Sequence, residues 1–279
     1  MKKLLFISLV FVSISSCELL EDATENTQNI DIAEGLKEAL RVGTDTATSK
    51  LAVVDGYLKD QAVKILLPDE LEQQIQEFKS FQINIFGFGS VSGEQIYNTG
   101  FPAFGINSLA SKEDELITGI NRAAEEAAKE AGPIFFDAIR GITITDAENI
   151  LYGSDSAATT FLVDRTYSSL FDTFEPKVDV AVNSVQINGQ SIEALYASYV
   201  ADYNEILNVS VPTGLTNFSS IGELAGLNTI SQPDISAFAT EKGLDGLFLK
   251  VQEEEKNIRE DPFARVTQIL EDVFSLLDQ

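Results

Sequence analysis

Apolar residues that return at every third or fourth position constrain this chain more than any other feature. Ile32, Leu36, Leu40, Gly43, Ala47, Leu51 and Val54 keep one face of a 3.6-residue repeat over residues 30–54. Ile120, Ala124, Ala127 and Ala131 do the same over 114–131, where small side chains admit a close neighbour. Pro133 stands at the start of a helix in PIFFDAIRG and Gly141 at its end. In TDAENILYG, Thr145 and Glu148 read as a capping box, with Gly153 as the stop. Val163, Tyr167, Leu170, Phe171 and Phe174 stripe a helix predicted to end before Pro176, because a residue preceding proline disfavours the helical region. Tyr196, Tyr199 and Tyr203 line another, as a core stripe or a ligand surface. Leu244, Leu247, Val251 and Ile258 share a face, and Asp261 with Pro262 is expected to cap a last helix striped by Phe263, Val266, Leu270, Val273 and Leu277.

Two stretches break the pattern. Residues 81–111, FQINIFGFGSVSGEQIYNTGFPAFGINSLAS, carry a single acidic residue among many Phe, Gly, Asn and Ser, and residues 208–234 have the same texture. Alternation at Phe81, Ile83 and Ile85, and at Val209 and Val211, predicts short strands. Loops this long act as lids or ligand mouths, or pack as plain insertions on the helical body. No charged or Pro-rich linker separates the helices on either side, and no fixed-period repeat is present. The expected fold is therefore mainly α: one compact multi-helix domain over 30–279, with short β strands in two inserted loops.

Before that domain, Met1-Lys2-Lys3 leads into an apolar stretch of eleven residues, Leu4 to Ile14, and then Ser15-Ser16-Cys17. This is the order of a secretory signal, and eleven residues are too few to span a bilayer, which needs about 20. Ile14-Ser15-Ser16-Cys17 resembles the bacterial lipobox, in which the cysteine sulfur receives a diacylglyceryl group and the residue becomes the new N-terminus. Residues 1–16 are thus read as a signal peptide, Cys17 as the lipid attachment site, and 17–29 as a tether reaching at most about 40 Å. Two or three acyl chains anchor stably, at about 0.8 kcal/mol per buried methylene. The expected location is the bacterial cell envelope, at the periplasmic face or the cell surface, with the membrane as a partner through the lipid.

Cleavage would remove two lysines, leaving 17 basic and 44 acidic residues and a net charge of −27. Nucleic acid is not an expected partner, because phosphate binding needs clustered Lys and Arg. The chain has no histidine, no tryptophan and one cysteine, which excludes Ser-His and Cys-His nucleophiles and the usual zinc sites. No serine stands three residues before a lysine, no EF-hand loop is present, and Gly87, Gly89 and Gly93 are spaced one residue too widely for a dinucleotide fingerprint. No cofactor or metal is expected. Carboxylate pairs remain able to hydrolyse glycosides, and Asp137, Asp146, Asp245, Glu253 and Glu254 lie in or beside apolar helical segments.

Several long strings are distinctive: GLKEALRVGTDTA near residue 35, ILLP at 65–68, INRAAEEAAKEAGPIFFDAIRGITITDAENILYG and its continuation to Pro176, YNEI, and GLDGLFLKVQEEEKNIREDPFARVTQILEDVF. Over most of residues 33–274 the chain resembles the bacterial lipoprotein family of domain of unknown function 4197. The stretches 79–112 and 208–232 look longer than the family pattern. The resemblance implies a mainly helical domain and carries over no catalytic or ligand residues. Its matching polar positions include Thr159 and Asn204, together with Asn121, Arg122, Asp137, Asp245, Glu254, Arg259 and Arg265; these form buried ion pairs and caps, or a shared polar cleft. The function expected is a lipid-anchored binding or scaffold module without catalysis, its partner a protein or a small apolar ligand. The alternative is a carboxylate-dependent hydrolase of envelope glycans.

Overall fold

The computed structural model describes residues 31–231 and 234–278. The signal peptide, Cys17 and the tether read from the sequence lie outside the described residues. Within the compact unit over 32–279 the first element is helix α1, Ile32–Leu51, which buries Leu36, Ala39, Leu40, Gly43, Ala47 and Leu51 as its stripe requires. An irregular segment over 52–68 leads to α2, Asp69–Ser80, and a hairpin of β1, Gln82–Ile85, and β2, Gly89–Ser92. Short helix α3, Gly93–Thr99, and a 3₁₀ turn at Pro102–Phe104 precede α4, Ala110–Ala128, and α5, Ala131–Gly141. Then come α6, Ala147–Leu151, the long α7, Ala157–Ser184, and a second hairpin of β3, Gln186–Ile187, and β4, Gln190–Ser191. Helix α8, Ile192–Asn208, runs into a third hairpin, β5, Ser210–Pro212, with β6, Phe218–Ser220, and then α9, Ile221–Ala225. The chain finishes with α10, Ile235–Glu260, and α11, Gln268–Phe274, with 3₁₀ turns at Pro262–Ala264 and Ser275–Leu277.

The core lies where α10 packs against α1 and α7, with α4 packed on α7 and touching α10, and α5 and α11 flanking α1. Each hairpin is antiparallel and two-stranded, Ile83 opposite Val91 and Val211 opposite Ser219 in the larger two. The molecule is thus a mainly helical domain carrying short hairpins. Gly87 and Gly89 take φ of +85° and +81° at the first turn, so the G-x-G spacing belongs to a hairpin. The tyrosine stripe is core: Tyr196, Tyr199 and Tyr203 are all buried.

Four local expectations need correction. Helix α7 continues through Pro176 to Ser184. A proline inside a helix costs about 3 kcal/mol, but Phe174 is buried before it and Val178, Ala181 and Val182 beyond it. Both Pro176 and Asp172, whose carbonyl loses its partner, face solvent. Second, α6 has no side-chain cap at its start; Asp146 instead accepts from the Asn149 amide at 2.7 Å. Third, the last helix begins at Gln268, not Pro262. Asp261 caps only the 3₁₀ turn, accepting from Phe263 N–H at 2.9 Å, and Phe263 is 95% exposed. The chain breaks there because Arg265 turns inward. Fourth, the β3–β4 hairpin was not foreseen, although Asn188-Gly189, with φ of +51° and +83°, is a strong two-residue turn signal.

Candidate functional site

Irregular backbone that runs through a core must find partners for its N–H and C=O groups. Over residues 52–67 local turns supply several, and one face of α4 supplies those of Tyr57, Leu58 and Ile65. Asn121, fully buried, accepts from Ile65 N–H at 2.9 Å and donates to the Ile65 carbonyl at 2.7 Å, replacing a neighbouring strand. One turn on, Glu125 accepts from the N–H groups of Tyr57 and Leu58 at 3.2 and 3.3 Å. Arg122 reaches Glu125 and Asp55, both at 2.6 Å. The ion pairs of Asp55 with Lys59 and Arg122 hold its carboxyl below the usual range. Tyr57 completes the clamp by donating to the Gly243 carbonyl at 2.7 Å. A Cβ on Gly246 would come within 2.7 Å of its ring, so only glycine lets α10 approach so closely.

The same logic organises the far end of α10. Helix α7 has no cap from its own Ser156. Glu255 supplies one from α10, accepting from Ala158 N–H at 2.9 Å, Thr159 N–H at 2.7 Å and the Thr159 hydroxyl at 2.6 Å. Arg259 pairs with Glu255 at 2.7 Å and donates to the Leu151 and Ile150 carbonyls at 2.6 and 3.1 Å, closing the C-terminal end of α6. Arg265 folds back onto the last turn of α10, donating to the carbonyls of Ile258 and Arg259 and pairing with Asp278. Asn204 grips Ile230 as Asn121 grips Ile65, at 2.8 and 2.9 Å.

Of the seven cleft candidates, then, Asn121 and Arg122 sit together on α4, and Arg259 and Arg265 together at the end of α10. Asp137 stands apart on the surface, paired with Arg140 at 3.3 Å, and Glu254 lies 3.8 Å from Lys50. Glu253 pairs with Lys250. Asp245 lines an open groove of about 430 Å³ between α10 and the 62–67 segment, with Asp69, Glu72, Lys64 and Lys242 at its sides and Ile65 and Phe238 among its apolar lining. Burial raises the Asp245 carboxyl above its ordinary range, opposed by Lys242 and by the Tyr167 hydroxyl at 3.4 Å. No cluster of three metal-ligating side chains occurs among the described residues.

Glu125 and Glu255 escaped the sequence reading, yet a signal existed. Glu255 falls four residues after Val251 and three before Ile258, on the apolar stripe itself and one turn before Arg259. An acid there must be buried, and a buried acid needs donors.

A different surface is built where the two inserted loops meet. Phe86 N–H donates to the Pro212 carbonyl at 2.8 Å, joining the turn of the first hairpin to β5. Phe88 packs edge-to-face with Phe101 and at a tilt with Phe104, ring centroids 5.6 and 5.3 Å away. Phe86 and Phe88 remain about half exposed, Phe218 is 63% exposed and Leu215 88%. Residues 81–111 hold one charged side chain, Glu94, and residues 206–231 one, Glu223. Behind Phe104, Asp202 and Glu205 line a shallow groove, Asp202 already paired with Lys112. Beneath this end, Tyr97 hydrogen-bonds Glu113 and lies 2.7 Å from the Tyr199 hydroxyl, tying α3 to α4 and α8.

No match was found among curated proteins or among solved structures. A family sequence profile matches residues 26–86 and 103–275, running unbroken through 208–232 but omitting 87–102, the segment that carries Phe88 and Phe101. With most of its length so matched, the chain belongs to the protein family of unknown function DUF4197.

Proposed function

We propose that this protein is a lipid-anchored module of the cell envelope that binds or scaffolds and does not catalyse. The observation that carries this reading is where the shared polar residues go. Asn121, Asn204, Arg259 and Arg265 are occupied with backbone groups and the Thr159 hydroxyl with Glu255, so they serve the fold, while phenylalanine and leucine stay exposed at the end built by the inserted loops. The lipobox-like Ile14-Ser15-Ser16-Cys17 supports the anchor. Mass spectrometry of the N-terminal peptide from membrane-extracted protein is expected to find diacylglyceryl on Cys17, and Cys17→Ser to release the protein from membranes. An unmodified Cys17 in a soluble protein overturns the anchor. Native mass spectrometry of the purified chain tests the binding role toward a small apolar ligand.

One observation favours a second reading, hydrolysis of envelope glycans. The groove holds Asp245, with its raised carboxyl, beside Asp69 and Glu72, and a general acid needs such a shift. Turnover of peptidoglycan fragments that disappears in Asp245→Asn is the expected result under this reading. An inactive wild-type protein removes it for those substrates.

A further inference from the structure

The aromatic end has the chemistry of a surface that enters lipid, and we infer that Phe86, Phe88, Leu215 and Phe218 insert into the interfacial region of the bilayer that carries the anchor. The inference rests on the anchored reading above. Three turns meet at this end: 86–89, 102–104 and 213–217. Their exposed side chains are phenylalanine and leucine together with Pro102, Ala103, Thr213, Thr216 and Asn217, and none is an ion. In a chain of net charge −25, two neighbouring stretches with one charge each are the part that a bilayer repels least. A second copy of the chain fits less well, since each body would bring the same large negative charge to the contact.

Reach permits the contact. From residue 17 to the start of α1 at Ile32 the chain extends at most about 50 Å. A compact body of 32–279 is about 45 Å across. A lipid on Cys17 therefore lets most faces of the body meet the membrane, and the aromatic tips are a face with something to gain from apolar surroundings. Asp202 and Glu205, behind Phe104, limit how far it sinks.

The chain contains no tryptophan, so Phe88→Trp in the full-length protein gives a single indole at the tip, and Val180→Trp a control on the exposed side of α7. Both are reconstituted on phosphatidylcholine vesicles with and without brominated acyl chains. The Phe88→Trp emission is expected to shift to the blue and be quenched by bromine, and the Val180→Trp emission to stay as in water. Adding Phe86→Ser and Leu215→Ser to an unlipidated Cys17→Ser, Phe88→Trp chain should lower its partition onto these vesicles by roughly tenfold. A water-like Phe88→Trp indole on protein that floats with the vesicles overturns the inference while leaving the anchor standing. A blue shift that needs no lipid and grows with protein concentration also overturns it, by making a second copy the occupant. If Cys17 proves unmodified, the anchor falls, and quenching of the Cys17→Ser chain by added vesicles alone decides the tip.

Discussion

The α10 end of the molecule and its aromatic end handle solvent in opposite ways. Around α10, charged and amide side chains are drawn inside and bond backbone groups of neighbouring segments. Around the 86–104 and 212–218 turns, apolar rings stay outside, with few charges near them. The contrast teaches that buried polarity here supports the fold, whereas the exposed rings are what the proposed membrane contact uses. The profile match covers Asn121, Glu125, Glu255, Arg259 and Arg265 and, at the aromatic end, Phe86, Leu215 and Phe218, and omits only 87–102 of that end.

The sharpest way to break this comparison is Glu255→Ala. It uncaps α7 and leaves Arg259 buried without its carboxylate, and a loss of about 3–5 kcal/mol is expected in urea unfolding. A loss under about 1 kcal/mol would mean that the pair is not a structural device. Asn121→Ala strands the N–H and C=O of Ile65, so stability should fall by about 3 kcal/mol and the Ile65 amide should exchange with deuterium faster. At the other end, Leu215→Ser and Phe218→Ser should each change unfolding free energy by no more than about 0.5 kcal/mol, because nothing in the core depends on them. A large loss there would make the tips part of the core.

Titration offers a finer test. Asp60 is held low by Lys250, and Asp278 by Arg265, so what these ion pairs contribute is present above the unfolded carboxylate pKa of about 3.9 and is lost as pH falls through their lowered values. Thermal melts should therefore drop in strong acid. Asp245 has the opposite sign: its raised carboxyl makes folding less favourable once it ionises. Asp245→Asn should raise the melting temperature slightly at pH 7 and lose that advantage below about pH 4. An equal gain at both pH values would point to packing instead.

Sequence periodicity placed α1, α4, α8 and α10 because one apolar face per helix is a local property, readable from spacing alone. It also flagged both inserted stretches, where alternation replaced the helical period. Pro176 misled because a local rule cannot weigh the burial of Phe174 and Val178 on the two sides of the proline. Asp261-Pro262 misled because a cap signal does not reveal that Arg265 will fold back onto α10. The candidate polar residues were found as types, yet their partners were not, since Asn121 meets Ile65 across 56 positions and Glu255 meets Thr159 across 96.

The sequence by itself determined a helical chain without histidine or paired thiols, its stripes, and the charge-poor composition of two loops. Only the tertiary structure decided that those loops lie side by side and that Asn121, Glu255 and Arg259 close backbone gaps. Amphipathic spacing is encoded within a few residues, whereas a hydrogen bond between distant segments exists only once packing has brought them together.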